Sequence, residues 1–187
     1  TIPAYAFYGC SSLTSVTIGN SVMSIEAYAF GYCGLTSIVI PDNVTSIGNY
    51  AFCDSSLTSV TIGNSVTSIG DRTFFGCSSL TSIVIPGNVT SIGNNAFSGC
   101  SGLTSVVWNA ENCKRAGSKD SPIFYNCSQL TDIIIGDNVN KIPTIAFYNC
   151  SSLTSVTIGS GVTSIGEETF YNCSSLASVY YTGTIDK

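Results

Sequence analysis

FFGCSSLTSIVIPGNVTSIGNNA, residues 74 to 96, returns before and after itself with the same apolar residues at the same offsets. It is therefore a repeat unit, and self-similarity at a fixed period signals a solenoid or an array. Phenylalanine marks the period at Phe7, Phe30, Phe52, Phe74, Phe97, Phe124, Phe147 and Phe170, spaced 23, 22, 22, 23, 27, 23 and 23. In the unit from Phe74 the other anchors are Leu80, Ile83, Ile85, Val89, Ile92 and Ala96; from Phe7 they are Leu13, Val16, Ile18, Val22, Ile25 and Ala29.

A period of about 20 to 29 residues built on L-x-x-L-x-L is a leucine-rich-repeat pattern, each unit forming one coil. The expected fold is a repeat solenoid: a right-handed coil with a parallel β-sheet on one face, and short extended pieces and 3₁₀ or helical turns on the other sides. Leu80 to Ile85 shows the period-2 alternation of a strand with one buried face, as do 13–18, 35–40, 57–62, 103–108, 130–135, 153–158 and 176–181. Turn pairs such as Gly63-Asn64 and Pro86-Gly87 follow. A second extended piece, Val89 to Ile92, then leads to a turn around Ala96-Phe97.

Residues 1–187 read as a single solenoid of seven complete repeats of 22 to 27 residues, with partial repeats at both ends. Ile2, Tyr181 and Ile185 occupy anchor positions of incomplete coils, so a longer natural chain is expected. The period breaks once, at NAENCKRAGSKDSPI (109–123), which is read as a loop replacing the turn and second side of its coil. Insertions in repeat proteins commonly map to one face and often meet partners. This one carries Lys114, Arg115 and Lys119.

The string GCSSLTSVTIGNSVTSIG, nearly intact at 9–25 and 150–166, resembles the repeats of the BspA-like (leucine-rich repeat type 5) family. The resemblance spans essentially the whole chain. Residues 109–123 depart from it, as do the short joins at Cys33-Gly34-Leu35 and Cys53-Asp54. It implies a module on the surface of a host-associated bacterium or parasitic protist, extracellular and engaged in adhesion to host proteins or other cells. The alternative is a structural spacer or intracellular interaction scaffold.

Several function classes are disfavoured by composition. Charged residues are 9% of the chain and net charge is −5, so nucleic acid is not an expected partner. No apolar run reaches the ~20 residues of a membrane span. Histidine is absent, which removes Ser-His and Cys-His nucleophile pairs. Asp42, Asp71, Asp137 and Glu167 sit at turn or variable positions of separate coils; the chain reads as non-catalytic, with no cofactor and no metal.

Seven of the nine cysteines (10, 33, 77, 100, 127, 150 and 173) lie three residues after a Phe. They should stack as a ladder with parallel Cβ vectors, a poor geometry for disulfides, and so stay reduced and buried. Cys53 and Cys113 lie off that ladder, and Cys113, within the insertion, is expected to be exposed.

Outward strand positions form two columns. One is serine except for Asp132; in the other, Val84, Val107 and Ile134 fall on consecutive coils. That apolar strip beside the inserted loop is the candidate binding site, with Asp132, Lys114, Arg115 and Lys119 around it. The partner is a protein ligand, and end-to-end or loop-mediated self-association stays open. On the opposite edge Tyr5, Tyr8, Tyr28, Tyr50, Phe75, Tyr125, Tyr148 and Tyr171 form an aromatic fringe.

Overall fold

The computed structural model describes residues 1–183; the anchor assigned to Ile185 lies outside them. Strands are numbered in chain order. A long strand opens most coils: β2 (Ser37–Ile40), β4 (Ser59–Ile62), β6 (Ser82–Ile85), β8 (Ser105–Trp108), β10 (Asp132–Ile135), β12 (Ser155–Ile158) and β14 (Ser178–Tyr181). A two-residue strand marks the second side: β1 (Ser24–Ile25), β3 (Ser46–Ile47), β5 (Ser68–Ile69), β7 (Ser91–Ile92), β9 (Arg115–Ala116), β11 (Lys141–Ile142) and β13 (Ser164–Ile165).

Among the described residues every named strand pairs in parallel with a strand of a neighbouring coil, giving a β-solenoid. The long ladder comprises β2–β4 and β6–β8–β10–β12–β14; the short one comprises β1–β3–β5–β7–β9 and β11–β13. The long ladder parts between β4 and β6, where the step lengthens from 22 to 23 residues and the Thr81 N–H reaches the Thr58 carbonyl only at 3.5 Å. Residues 13–18, expected as a strand, form none. They lie beside β2 at the edge of the ladder, where backbone pairing is weakest.

Inside the coil, Leu80, Ile83, Ile85, Val89, Ile92, Ala96 and Phe97 are all at most 1% exposed. The phenylalanines stack without interruption from Phe7 to Phe170, ring centroids 5.1–5.8 Å apart. Glycine recurs after the short strands because coils touch there: a Cβ on Gly48 would stand 2.7 Å from the Ala27 nitrogen.

The third side corrects the expected helical turn. Among the described residues there is no helix. Alternate N–H groups close tight turns within the coil (Ala51 to the Gly48 carbonyl, 3.3 Å; Cys53 to that of Tyr50, 3.1 Å), and the ones between bond to the next coil (Tyr50 to Asp71, 2.9 Å; Phe52 to Thr73, 2.9 Å). A helix would turn every N–H back onto its own coil, so inter-coil bonding excludes it. The arrangement requires left-handed residues, and Tyr5, Tyr28, Tyr50, Arg72, Asn95, Ile145 and Glu168 hold φ of 52–59°.

The insertion is smaller than the sequence suggests. Residues 109–123 do not replace the second side: β9 lies within them and pairs with β7, Arg115 on Ser91 and Ala116 on Ile92. Cys113 takes the place of Val89, one residue late, and is buried with its thiol pushed up to about 11 by desolvation, contrary to its expected exposure. The genuinely extra chain is the tight turn closed by the antiparallel bridge Ser118–Ser121. Cys113 and Ala116 are smaller than the Val and Ile they replace, while Trp108 and Ile123 are larger than the Ile and Ala at their positions; Trp108 is fully buried, edge-on to Phe147 at 5.4 Å.

Candidate protein-interaction surface

On the long ladder every second side chain points outward. Strand register sets Val84 against Val107 and Val107 against Ile134. Val84 and Ile134 are 49% and 46% exposed, and Val107 between them is partly covered. Asp132 lies in the adjacent column between Ser105 and Ser155, its carboxylate accepting the Thr131 hydroxyl at 2.6 Å. These four residues share one face.

The three cations do not join them. Arg115 is on β9, on the second side, where its guanidinium stands 3.9 Å from Asp71. Lys114 precedes it, its N–H bonded to the Thr90 carbonyl. Lys119 sits on the third side and bonds Glu168 at 2.8 Å, which raises the ammonium pKa. The seven candidate residues thus occupy three sides of the coil.

The sequence reading missed what borders the apolar column. Two residues beyond Val107 and Ile134 the chain enters the first turns, where Asn64, Asn88, Asn109, Glu111, Asp137 and Asn138 line an open cleft of about 630 Å³. The Asp137 carboxyl is held below the usual carboxylate range by the N–H and hydroxyl of Ser160. An apolar strip with a polar rim is the usual anatomy of a protein contact patch. All of these turn residues except Asn64, which belongs to the preceding coil, lie just downstream of Val84, Val107 and Ile134 on the same three coils.

On the third side the aromatic fringe also includes Tyr32, edge-on to Tyr8 at 5.4 Å, and Arg72 packs against the fringe. Tyr28 stacks on Tyr5 and Tyr50 at 4.9 and 4.5 Å, and Arg72 lies over Tyr50 at 5.5 Å and bonds its hydroxyl.

A BspA-type leucine-rich repeat family model matches residues 1–120 and 116–187, in six copies. The chain belongs to the BspA-type leucine-rich repeat family. Repeat arrays of this type are protein-interaction modules, and the family and fold are typically non-catalytic. No curated protein matches the chain. Among solved structures, this BspA-type chain is similar to a leucine rich cell surface protein from Faecalibacterium prausnitzii (28% identity, 97% of this chain and 69% of that one, TM-score 0.57). It is also similar to a T. pallidum leucine rich repeat protein (26% identity, 83% and 72% covered, TM-score 0.64). Among the described residues no helix is long and apolar enough to cross a membrane.

Proposed function

We propose that this BspA-type array is a cell-surface adhesion module that holds a host or other cell-surface protein on its long-ladder face. The observation that carries this reading is the in-register, partly to fully exposed column Val84–Val107–Ile134, which runs from the end strand β6 to the central strand β10 of a five-stranded ladder and is bordered by the amides and carboxylates of the first turns. Partly exposed β-branched side chains bury apolar area on contact, and the polar rim fixes orientation. Surface placement is supported by the family and by the similarity to a leucine rich cell surface protein from F. prausnitzii.

A spacer reading has its own support: the uninterrupted phenylalanine stack makes the array a stiff rod suited to setting distance. Beads coated with the chain separate the two. An adhesion module retains them on immobilised host extracellular-matrix proteins, and soluble chain competes them off; a spacer leaves retention at the level of albumin-coated beads.

A further inference from the structure

The residue after each stacked phenylalanine forms a column on the third side: Tyr8, Gly31, Cys53, Phe75, Ser98, Tyr125, Tyr148 and Tyr171. In the second half of the array every member is aromatic except Ser98. The inner rings of those same coils, Phe74, Phe97 and Phe124, are 5.2 and 5.4 Å apart. Two coil steps therefore separate the Phe75 and Tyr125 positions by about 10 Å, with no ring between them.

The gap is an actual cleft. Phe75 and Tyr125 line it, with Gly99 and the buried Ser98 of the coil between them at its floor, and this open groove spans about 460 Å³. Around its mouth stand the amides of Asn95, Asn126 and Asn149, together with Lys119 and Asp120 from the extra 118–121 turn. The break in period thus walls the place where the aromatic column skips a ring. Lys119 is paired with Glu168 and the Asp120 carboxylate stands beside it, so the mouth disfavours anions and suits a neutral ligand rich in hydroxyl donors.

We propose that this cleft binds a hexopyranose ring, its two C–H faces stacked between Phe75 and Tyr125 and its equatorial hydroxyls held by Asn95, Asn126, Asn149 and Asp120. Stacking wants centroids about 4.5–7 Å away, which a ring midway across a ~10 Å gap satisfies on both sides. The rim supplies amide donors and acceptors and a carboxylate acceptor in a number that matches a sugar's hydroxyls. An aromatic side chain from a protein partner would present at most one polar atom and leave the rest of that rim unpaired. This site is separate from the long-ladder face.

Saturation-transfer NMR with methyl pyranosides of glucose, galactose and N-acetylglucosamine, backed by an oligosaccharide array, tests it. The wild-type chain transfers saturation to ring protons of at least one of these sugars. Tyr125→Ala weakens binding about ten-fold. Ser98→Tyr, which restores a residue the same column carries at Tyr8, Tyr125, Tyr148 and Tyr171, keeps the melting temperature and abolishes transfer. Absence of binding across sugars and array, undiminished binding by Ser98→Tyr, or binding of N-acetyltryptophanamide in place of every sugar would overturn the assignment. No protein ligand enters this assay, so its outcome is independent of adhesion through the long ladder.

Discussion

The hydroxyl of Ser55 donates to the carbonyl oxygen of Phe30, one coil back, at 2.9 Å, in the place where other coils use a cysteine thiol. Cys77, Cys100, Cys127 and Cys173 make the same bond to Phe52, Phe74, Phe97 and Phe147 at 3.1–3.3 Å. Ser55 stands three residues after Phe52, so it is the ladder position of the coil whose cysteine, Cys53, is displaced. The ladder thiols are hydrogen-bond donors to the phenylalanine column as well as small apolar fillers. All nine cysteines are unpaired.

Replacing Ser55 should therefore cost more than replacing a ladder cysteine. The Phe74 carbonyl accepts the Cys77 N–H as well as the Cys100 thiol. Among the described residues the Phe30 carbonyl accepts only Ser55. Ser55→Ala leaves it buried and unpaired, at about 1–3 kcal/mol, whereas Cys100→Ala leaves the Phe74 carbonyl bonded to the Cys77 N–H and costs about 1 kcal/mol. Urea denaturation of the two variants gives the comparison.

The thiols also set an alkaline limit. Burial pushes Cys53 and Cys113 up to about 11 and Cys77 and Cys127 up to about 12, from an ordinary 9.0. Folded protein then holds protons that unfolded chain releases, so stability is full below pH 9 and falls as pH rises toward 11–12. Urea midpoints at pH 8, 9, 10 and 11 should decline over the last two steps. At pH 8 a thiol reagent should label exposed Cys10 first and the buried thiols only on unfolding.

Ile145 holds φ of 57°, a conformation costly for a β-branched side chain. Its backbone N–H is fixed there by the Glu167 carbonyl of the next coil at 3.1 Å. The equivalent position elsewhere carries Asn95. Ile145→Asn should raise stability by about 0.5–1 kcal/mol, read as a higher melting temperature with an unchanged circular-dichroism spectrum.

Trp108, buried and larger than the Ile of other coils, belongs to the same coil as Cys113 and Ala116, which are smaller than the residues they replace. Trp108→Ile restores the residue of other coils but leaves a cavity, at about 2–4 kcal/mol. Adding Cys113→Val and Ala116→Ile should recover more than half of that loss, and thermal denaturation of the single and triple variants shows whether the changes are coupled.

The two ladders were legible because period-2 alternation and a fixed offset from each phenylalanine set register directly. The third side was not. Its turns are dictated by bonds to the neighbouring coil, which force Tyr50, Arg72 and Ile145 into a conformation that propensity assigns to Gly or Asn. β9 was hidden because one added residue and the small anchors Cys113 and Ala116 erased its pattern. Counting along the strands placed Val84, Val107 and Ile134 together; Lys114, Arg115 and Lys119 were grouped with them by closeness in sequence, and each turn of the coil carries such neighbours to another side.

The contact face is tested most directly by Val107→Asp/Ile134→Asp in the bead-retention experiment, with Lys114→Ala/Arg115→Ala as the control on the second side. Both pairs are at partly or fully exposed positions, and unchanged melting temperature confirms folding. The long-ladder account gives at least a ten-fold loss of retention for the first pair and little change for the second. Full retention by Val107→Asp/Ile134→Asp would contradict it.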